Sequence, residues 1–406
     1  MVELSPVSSR ERLAAVDVIR GWALLGVLIA NLHEDLGGLD YRQPPGDGAL
    51  YDAAASRFIE VAIRARSITL LTFVFGLGFA IQLMRAESRG EDGAGLFLRR
   101  LAVLFAIGAC HLLLLWWGDV ASTYAVLGVA LLAFRRVSDR GLLVWAVALV
   151  FVPRIVIAVP AIAGAVHAAL PHPANRAAFD AEFHAAVLGH DYPARVIAHL
   201  RKVLYTIVPG APWYLPWLLG RFLLGYYAGR RRLFERDGAA HLGLFRRLLV
   251  WGLVCAAIGT PVIVLARTGA LAGSAISLPV QLGLIVLGEL AWLGLAAVYA
   301  AAIVLLLQRP GPRRWLLVLA PVGQMPLTTY LGQSLVATFL FYGWGLGLSG
   351  QLGSAACLAI AVAIYAVQVA GCRLWLARFR FGPVEWLWRT LVYGRAQPMR
   401  RAAIAR

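Results

Sequence analysis

Asp17-Val-Ile-Arg-Gly-Trp-Ala-Leu-Leu-Gly-Val-Leu-Ile-Ala-Asn-Leu-His33 is an apolar run long enough to cross most of a bilayer as a helix, yet it carries an acid, an arginine, an asparagine and a histidine. Arg20 and Asn31 stand eleven residues apart. Eleven steps of about 100° return to within about 20° of the starting direction, so both side chains share one face, roughly 16 Å apart along the axis. Asp17 lies on the same stripe, three residues before Arg20 and placed to pair with it. Polar groups at both ends of one membrane stripe point to a polar path through the protein, or to a long ligand lying along it.

The composition extends this reading to the whole chain. Hydrophobic residues make up 60% of the 406 and charged residues only 15%, outside the range of soluble domains. Several apolar runs exceed about 18 residues, the length of a membrane-crossing helix. We therefore expect an all-α, polytopic membrane bundle of about ten transmembrane helices with both termini cytoplasmic, and no cleavable signal peptide. The net charge is +17. Lys202 is the only lysine, and the arginines gather between apolar runs as the positive-inside bias predicts, which argues against a nucleic-acid partner. Cys110, Cys255, Cys357 and Cys372 sit inside or at the edge of apolar runs without metal-ligand spacing and read as free thiols.

The spans are expected near 16–35, 66–84 and 99–117, then a fourth that follows an outer turn at Asp119 and Ser122 and returns by Phe134, then 141–164, 203–228, 246–266, 278–307, 315–342 and 352–377. Arg10, Arg12, Arg85, Arg89, Arg99 and Arg100 place the leading segment and the first inner loop on the cytoplasmic side. Arg135, Arg136, Arg140, then Arg230 to Arg232, and Arg309, Arg313 and Arg314 do the same for the later loops. A half-polar helix near 48–63 reads as lying on the outer surface after the breakers Pro44 to Gly48. Pro153 and Pro160 predict a kink in the fifth span. Residues 1–406 form one membrane domain, with an outer loop subdomain at 165–202 and a cytoplasmic interfacial tail at 378–406. No internal repeat supports an inverted-repeat transporter.

Polar residues inside apolar runs are the candidates for function. His111, two turns before Asp119, either acts in function or satisfies a neighbouring helix, and Asp119 either orients the imidazole of His33 or caps the next helix. Glu289 is placed to pair with Arg221 or with Arg154, and the sequence does not choose. Thr328, Thr329, Tyr330 and Gln333 form a polar stripe that either lines a cavity or bonds a neighbouring helix. Glu385, Trp386 and Trp388 read as an interfacial anchor beside Arg389. The outer histidines show no metal spacing, so no metal is expected.

The motif Val16-Asp17-x-x-Arg20-Gly-x-Ala-Leu-Leu-Gly-x-Leu-x-x-Asn31 resembles the opening of the YeiB-like family, domain of unknown function 418. Arg99-Arg100-Leu101, Gly108 with His111, and Gly118-Asp119 with Tyr124 match it further. So do Gly323-Gln-Met-Pro-Leu-Thr-Thr-Tyr330 with Gln333-Ser334, and Phe381-Gly-Pro-Val-Glu-Trp-Leu-Trp-Arg389. That family resembles a branch of the transmembrane acyltransferase superfamily. The resemblance implies acyl transfer from cytoplasmic acetyl-CoA or another acyl-CoA to a hydroxyl or amine of a glycan, lipid or small metabolite at the outer face. The protein would then be a multi-pass member of a bacterial-type plasma membrane, with membrane lipids, the acceptor and a second copy of the chain as candidate partners.

The type 3 branch of that superfamily carries a histidine eleven residues after its arginine, where this chain has Asn31. The implied base is therefore His33, with Asn31 at the thioester carbonyl and Asp119 orienting the imidazole. Arg20, Thr328, Gln333 and Arg389 would meet the donor, while Asp17, His111, Thr329 and Tyr330 line the path. Within a continuous helix His33 points about 200° from Asn31, so the two share a site only where the helix unwinds. The rival expectation is a transporter or exporter of a small hydrophobic or anionic molecule, which uses the same stripe without covalent chemistry.

Overall fold

The computed structural model describes residues 13–38, 50–88, 93–267 and 277–401. Arg10, Arg12, Arg89, the breakers Pro44 to Gly48 and the turn expected between the seventh and eighth spans lie outside the described residues.

In chain order the helices are α1 Ala14–Asn31, α2 Leu50–Phe58, α3 Arg64–Ser88, α4 Gly93–Leu114, α5 Ala121–Leu131, α6 Asp139–Ile157, α7 Pro160–Ala169, α8 Arg176–Leu188 and α9 Tyr192–Lys202. There follow α10 Val208–Arg230, α11 Leu242–Arg267, α12 Leu278–Leu307, α13 Pro310–Leu316, α14 Ala320–Gln324, α15 Pro326–Phe341, α16 Ser354–Arg378 and α17 Pro383–Tyr393. Among the described residues, seven helical segments are long and apolar enough to cross a membrane: Ala14–Leu36, Leu50–Met84, Gly95–Leu114, Asp139–Ile157, Glu235–Leu265, Leu278–Leu307 and Ser354–Arg378. The other three segments read as spans contain α5, α10 and α15, packed in the same bundle. The chain is a multi-pass helical membrane protein.

Three boundaries differ from the sequence reading. The ninth span, expected over 315–342, is broken at Met325 between α14 and α15, where Pro326 opens the second helix. The surface helix expected at 48–63 does not stop before the next span. α2 and α3 are joined by a π-helical turn, Ile59–Ile63, because no Gly or Pro interrupts 50–66 and both Ile59 and Ile63 are buried. In the fifth span α6 continues through Pro153 to Ile157, and the break comes at Pro160. A proline is tolerated at the first helical position and holds the residue before it extended, as Val159 is at φ −78°, ψ 115°.

α3 and α10 approach closely through a reciprocal pair of glycines. A Cβ on Gly76 would strike the backbone of Phe222, and one on Gly225 the backbone of Phe73. α1 sits centrally, against α3, α14, α15 and α16. The outward faces of α6, α11 and α16 stay apolar, with Val144, Trp145, Trp251, Ile258, Val367 and Leu374 exposed, as suits lipid contact. One end of the bundle collects the arginine-bearing loops. Asp237 accepts from the N–H of Ala15 and pairs with Arg313, while Arg230 reaches Asp139 and the carbonyl of Val137. The 165–202 segment forms α8 and α9 at the other end, capped by Asn175 and Asp191, and Phe179, Phe183 and Val187 are buried there. The four cysteines are free thiols.

Candidate functional site

The stripe on α1 lines two cavities in succession. Arg20 and Leu24 face a cavity of about 250 Å³ at the arginine-rich end, closed on its other sides by Tyr124, Gln324, Tyr330, Glu385 and Arg389. Val27, Ala30 and Asn31 face a wider cavity of about 580 Å³. Residues at i, i+4, i+7 and i+11 fall on one face of a helix, so one straight helix borders both spaces. Val120 lines both cavities. Arg20 holds its place by donating from Nη1 to Asp17 Oδ1 at 3.2 Å and to the carbonyl of Gly323 at 2.8 Å.

Next to Val120 stands a buried His–Asp pair. α4 ends at Leu114, and the chain folds back over 115–120 before α5 begins. The pair therefore does not share one helix, as its spacing had implied. The backbone N–H groups of Leu115 and Trp116 both bond the carbonyl of His111, which tightens the turn. Gly108 lets it close, since a Cβ there would meet Ser122 and Asp119. The turn sets Asp119 Oδ1 2.8 Å from His111 Nδ1, while Oδ2 accepts the N–H of Ser122 at 2.6 Å. Asp119 thus both orients a histidine and caps α5, but the histidine is His111 and not His33. A carboxylate on Nδ1 selects the tautomer with an open Nε2. That Nε2 is buried and has no hydrogen-bond partner among the described residues. The centres of the His111 and Tyr330 rings lie 5.1 Å apart, and the Tyr330 hydroxyl accepts the N–H of Val120 at 3.1 Å.

The wider cavity is aromatic and charged. Trp116, Trp117, Trp213, Tyr214, Trp217 and Trp292 contribute rings, and Arg64, Arg66 and Arg154 contribute guanidiniums. Arg64 sits between the carboxylates of Glu34 and Glu60. Glu289 takes both of its candidate partners, Arg221 Nη2 at 2.8 Å and Arg154 Nε at 3.2 Å, and also receives the indole N–H of Trp217. A buried carboxylate with this many donors is fully compensated, which makes the cluster a structural brace on the cavity wall.

Several residues expected to line the path lie elsewhere: Asp17 and His111 line neither cavity, although Asp119, which holds His111, lines the wider one. His33 is buried in the π-helical turn Leu32–Leu36 and does not line the wider cavity, whereas Asn31, Glu34 and Asp35 do. The helix keeps winding past Asn31 instead of opening there, so the angular offset between the two side chains persists. Thr329 and Gln333 turn toward α16, where Gln333 bonds Gln368 at 3.1 Å and Thr329 lies 3.7 Å from Cys372 Sγ. Thr328 donates to Glu385 Oε2 at 2.5 Å. Of that four-residue stripe, only Tyr330 lines either of these two cavities.

Glu385, read from sequence as part of an anchor, caps α15 from outside. Its Oε1 accepts the N–H groups of Leu327 and Thr328 at 2.6 and 3.0 Å, where the first turn of the helix leaves its donors open. Burial raises its pKa, and these hydrogen bonds oppose the rise. Arg389 lines the narrow cavity with its guanidinium 4.4 Å from the centre of the Phe381 ring. Arg66 and the tryptophan cluster escaped the sequence reading, since their convergence depends on how α3, α10 and α12 pack. Among the described residues no group of three or more His, Cys, Asp or Glu is placed to hold a metal ion.

Comparison with known proteins places this arrangement among relatives of the same length. The family described as "Protein of unknown function (DUF418)" matches residues 228–395. The chain is 31% identical over 419 residues to the uncharacterized protein YxaH of Bacillus subtilis (strain 168), covering 98% of each chain. It is 29% identical to an uncharacterized 39.9 kDa protein in the amylase 3′ region of Bacillus acidopullulyticus, again over 98% of both. It is 28% identical to the uncharacterized protein YeiB of Escherichia coli (strain K12), over 96% of this chain and 98% of that one.

Proposed function

The chain belongs to the DUF418 family of YeiB-like membrane proteins, and from that premise we propose that it is a membrane-embedded acyltransferase. In this reading it moves an acyl group from acetyl-CoA or another acyl-CoA, bound at the arginine-rich, cytoplasmic end, to a hydroxyl or amine of a glycan, lipid or small metabolite. The acceptor enters from the opposite face of the bacterial plasma membrane. One observation carries the reading: the α1 stripe borders two cavities that share Val120 in their walls, and the wider one is also lined by Asp119, the carboxylate of a buried His–Asp pair whose imidazole Nε2 has no partner among the described residues.

Each part has a task. Arg20 and Arg389 supply positive charge in the narrow cavity, suited to the phosphates or amides of the donor. The face from Arg20 to Asn31, roughly 16 Å long, matches the reach of a pantetheine arm. His111 takes over the role that the sequence reading gave to His33. Its Nε2 accepts the proton of the acceptor hydroxyl as the acceptor oxygen attacks the thioester carbonyl. Asp119 stabilises the imidazolium that forms. The carbon–sulfur bond then breaks, and the thiolate of CoA leaves with the proton returned by His111. Asn31, in the wider cavity, is the side-chain amide available to the carbonyl oxygen.

The test is donor binding and turnover by the purified protein. Acetyl-CoA is expected to raise its melting temperature, and native membranes to release free thiol from acetyl-CoA in proportion to the protein present. No thermal shift at millimolar acetyl-CoA, together with no thiol release, overturns the transferase in favour of a transporter.

A further inference from the structure

Arg66, near the start of α3, is 1% exposed and lines the wider cavity. Its Nη1 donates to the carbonyl of Glu60 at 2.6 Å, while Nε and Nη2 have no partner among the described residues. Those two nitrogens lie on the same edge of the guanidinium and form the fork that receives both oxygens of a carboxylate or phosphate side-on. Glu60 offsets part of this charge through space, but two buried donors without acceptors are costly, and an anion on that edge would satisfy both. Of the carboxylates lining the cavity, Glu34 and Glu60 pair with Arg64 and Asp119 with His111, and none of them, Asp35 included, hydrogen-bonds the Nε–Nη2 edge of Arg66. Around the fork the wall is aromatic, with Trp116, Trp213, Trp217 and Trp292 offering flat faces and edges.

We infer that the wider cavity binds a ring-bearing oxyacid, its carboxylate or phosphate seated on the Nε–Nη2 edge of Arg66 and its ring against the tryptophans. This rests on the acyltransferase reading only in naming the ligand as the acceptor; the site itself stands on geometry. A neutral sugar or a bare acyl chain would leave the fork unsatisfied, and a small inorganic anion would leave the aromatic wall uncovered.

The experiment titrates the purified full-length protein, without acyl-CoA, with 1-naphthoate, 1-naphthyl phosphate and neutral 1-naphthamide, followed by tryptophan fluorescence and calorimetry. The wild type is expected to bind one of the two acids at least tenfold more tightly than the amide. Arg66→Gln is expected to lose that preference and to unfold at no lower temperature, because it removes a buried charge that is only partly offset. Arg66→Lys keeps the charge without the fork and is expected to lose at least threefold, which decides the matter should Arg66→Gln fail to fold. Equal binding of acid and amide by the wild type, or an acid preference that survives in the variants, overturns the inference. Dihexanoyl phosphatidate binding where neither naphthyl acid does would assign the anion to a lipid headgroup and overturn the ring-bearing part. With no donor present, failure here leaves the acetyl-CoA result standing, and the reverse holds as well.

Discussion

Replacing Asp119 by Asn isolates the carboxylate behind His111. That carboxylate accepts two hydrogen bonds in a buried place, from His111 Nδ1 at 2.8 Å and from the N–H of Ser122 at 2.6 Å. An amide offers one acceptor oxygen and turns its NH2 toward the second donor. The backbone N–H of Ser122 is fixed, whereas the imidazole can change tautomer, so the oxygen stays on Ser122 and the NH2 faces Nδ1. His111 then carries its proton on Nε2 and cannot accept one there. Both bonds survive as neutral ones, so stability falls by only about 1 kcal/mol, the loss of charge assistance. Turnover is expected to fall about ten-thousand-fold, as for carboxylate-to-amide changes behind other catalytic histidines. The assay pairs thermal unfolding in detergent with thiol release from acetyl-CoA in native membranes. A folded Asp119→Asn protein that keeps turnover within threefold of wild type would reduce the pair to a helix cap, as would an active His111→Gln variant.

Three further outcomes follow from other parts of the molecule. Arg20→Gln and Arg389→Gln are expected to raise the KM for acetyl-CoA about tenfold each with kcat little changed, since loss of a contact made equally in ground and transition states acts on binding; a pure kcat effect contradicts the donor site. Arg221→Met leaves Glu289 buried beside a half-exposed Arg154 and is expected to cost about 3–5 kcal/mol, measured by unfolding, and Arg221→Met with Glu289→Met to recover most of it. Burial lowers the pKa of His199 from 6.5 to about 4. The unfolded chain binds that proton between those values and the folded chain does not, so stability is full above about pH 6.5 and declines toward pH 4, by about 3 kcal/mol. His199→Gln, which keeps a donor for the carbonyl of Leu113, is expected to flatten that slope in a pH series of melting curves.

Much of the architecture was legible before any coordinates. The apolar runs gave the membrane class and the long helices, α12 to the residue, because hydropathy and helical period are local properties, but not the short ones such as α7, α8, α9, α14 and α17. The Asp17–Arg20 pair and the shared face of Arg20 and Asn31 were legible for the same reason: both follow from the pitch of one helix. Turns were harder. Spacing set His111 and Asp119 on a common helix, yet they meet because the chain reverses after Leu114, a reversal that Gly108 permits and that hydropathy does not register.

Sequence by itself therefore determined a membrane bundle, its helix order and the polar stripe of α1, since each depends on neighbours a few residues away. Only the tertiary structure decided which polar groups meet. It gave Asp119 to His111 instead of His33, turned Gln333 onto Gln368 instead of a cavity, set Glu385 on the first turn of α15, and left one edge of Arg66 open among the tryptophans. Apart from the His111–Asp119 pair, which a chain reversal brings together, those contacts join residues tens of positions or more apart, and they depend on crossing angles and helix rotations that no period within a single helix encodes.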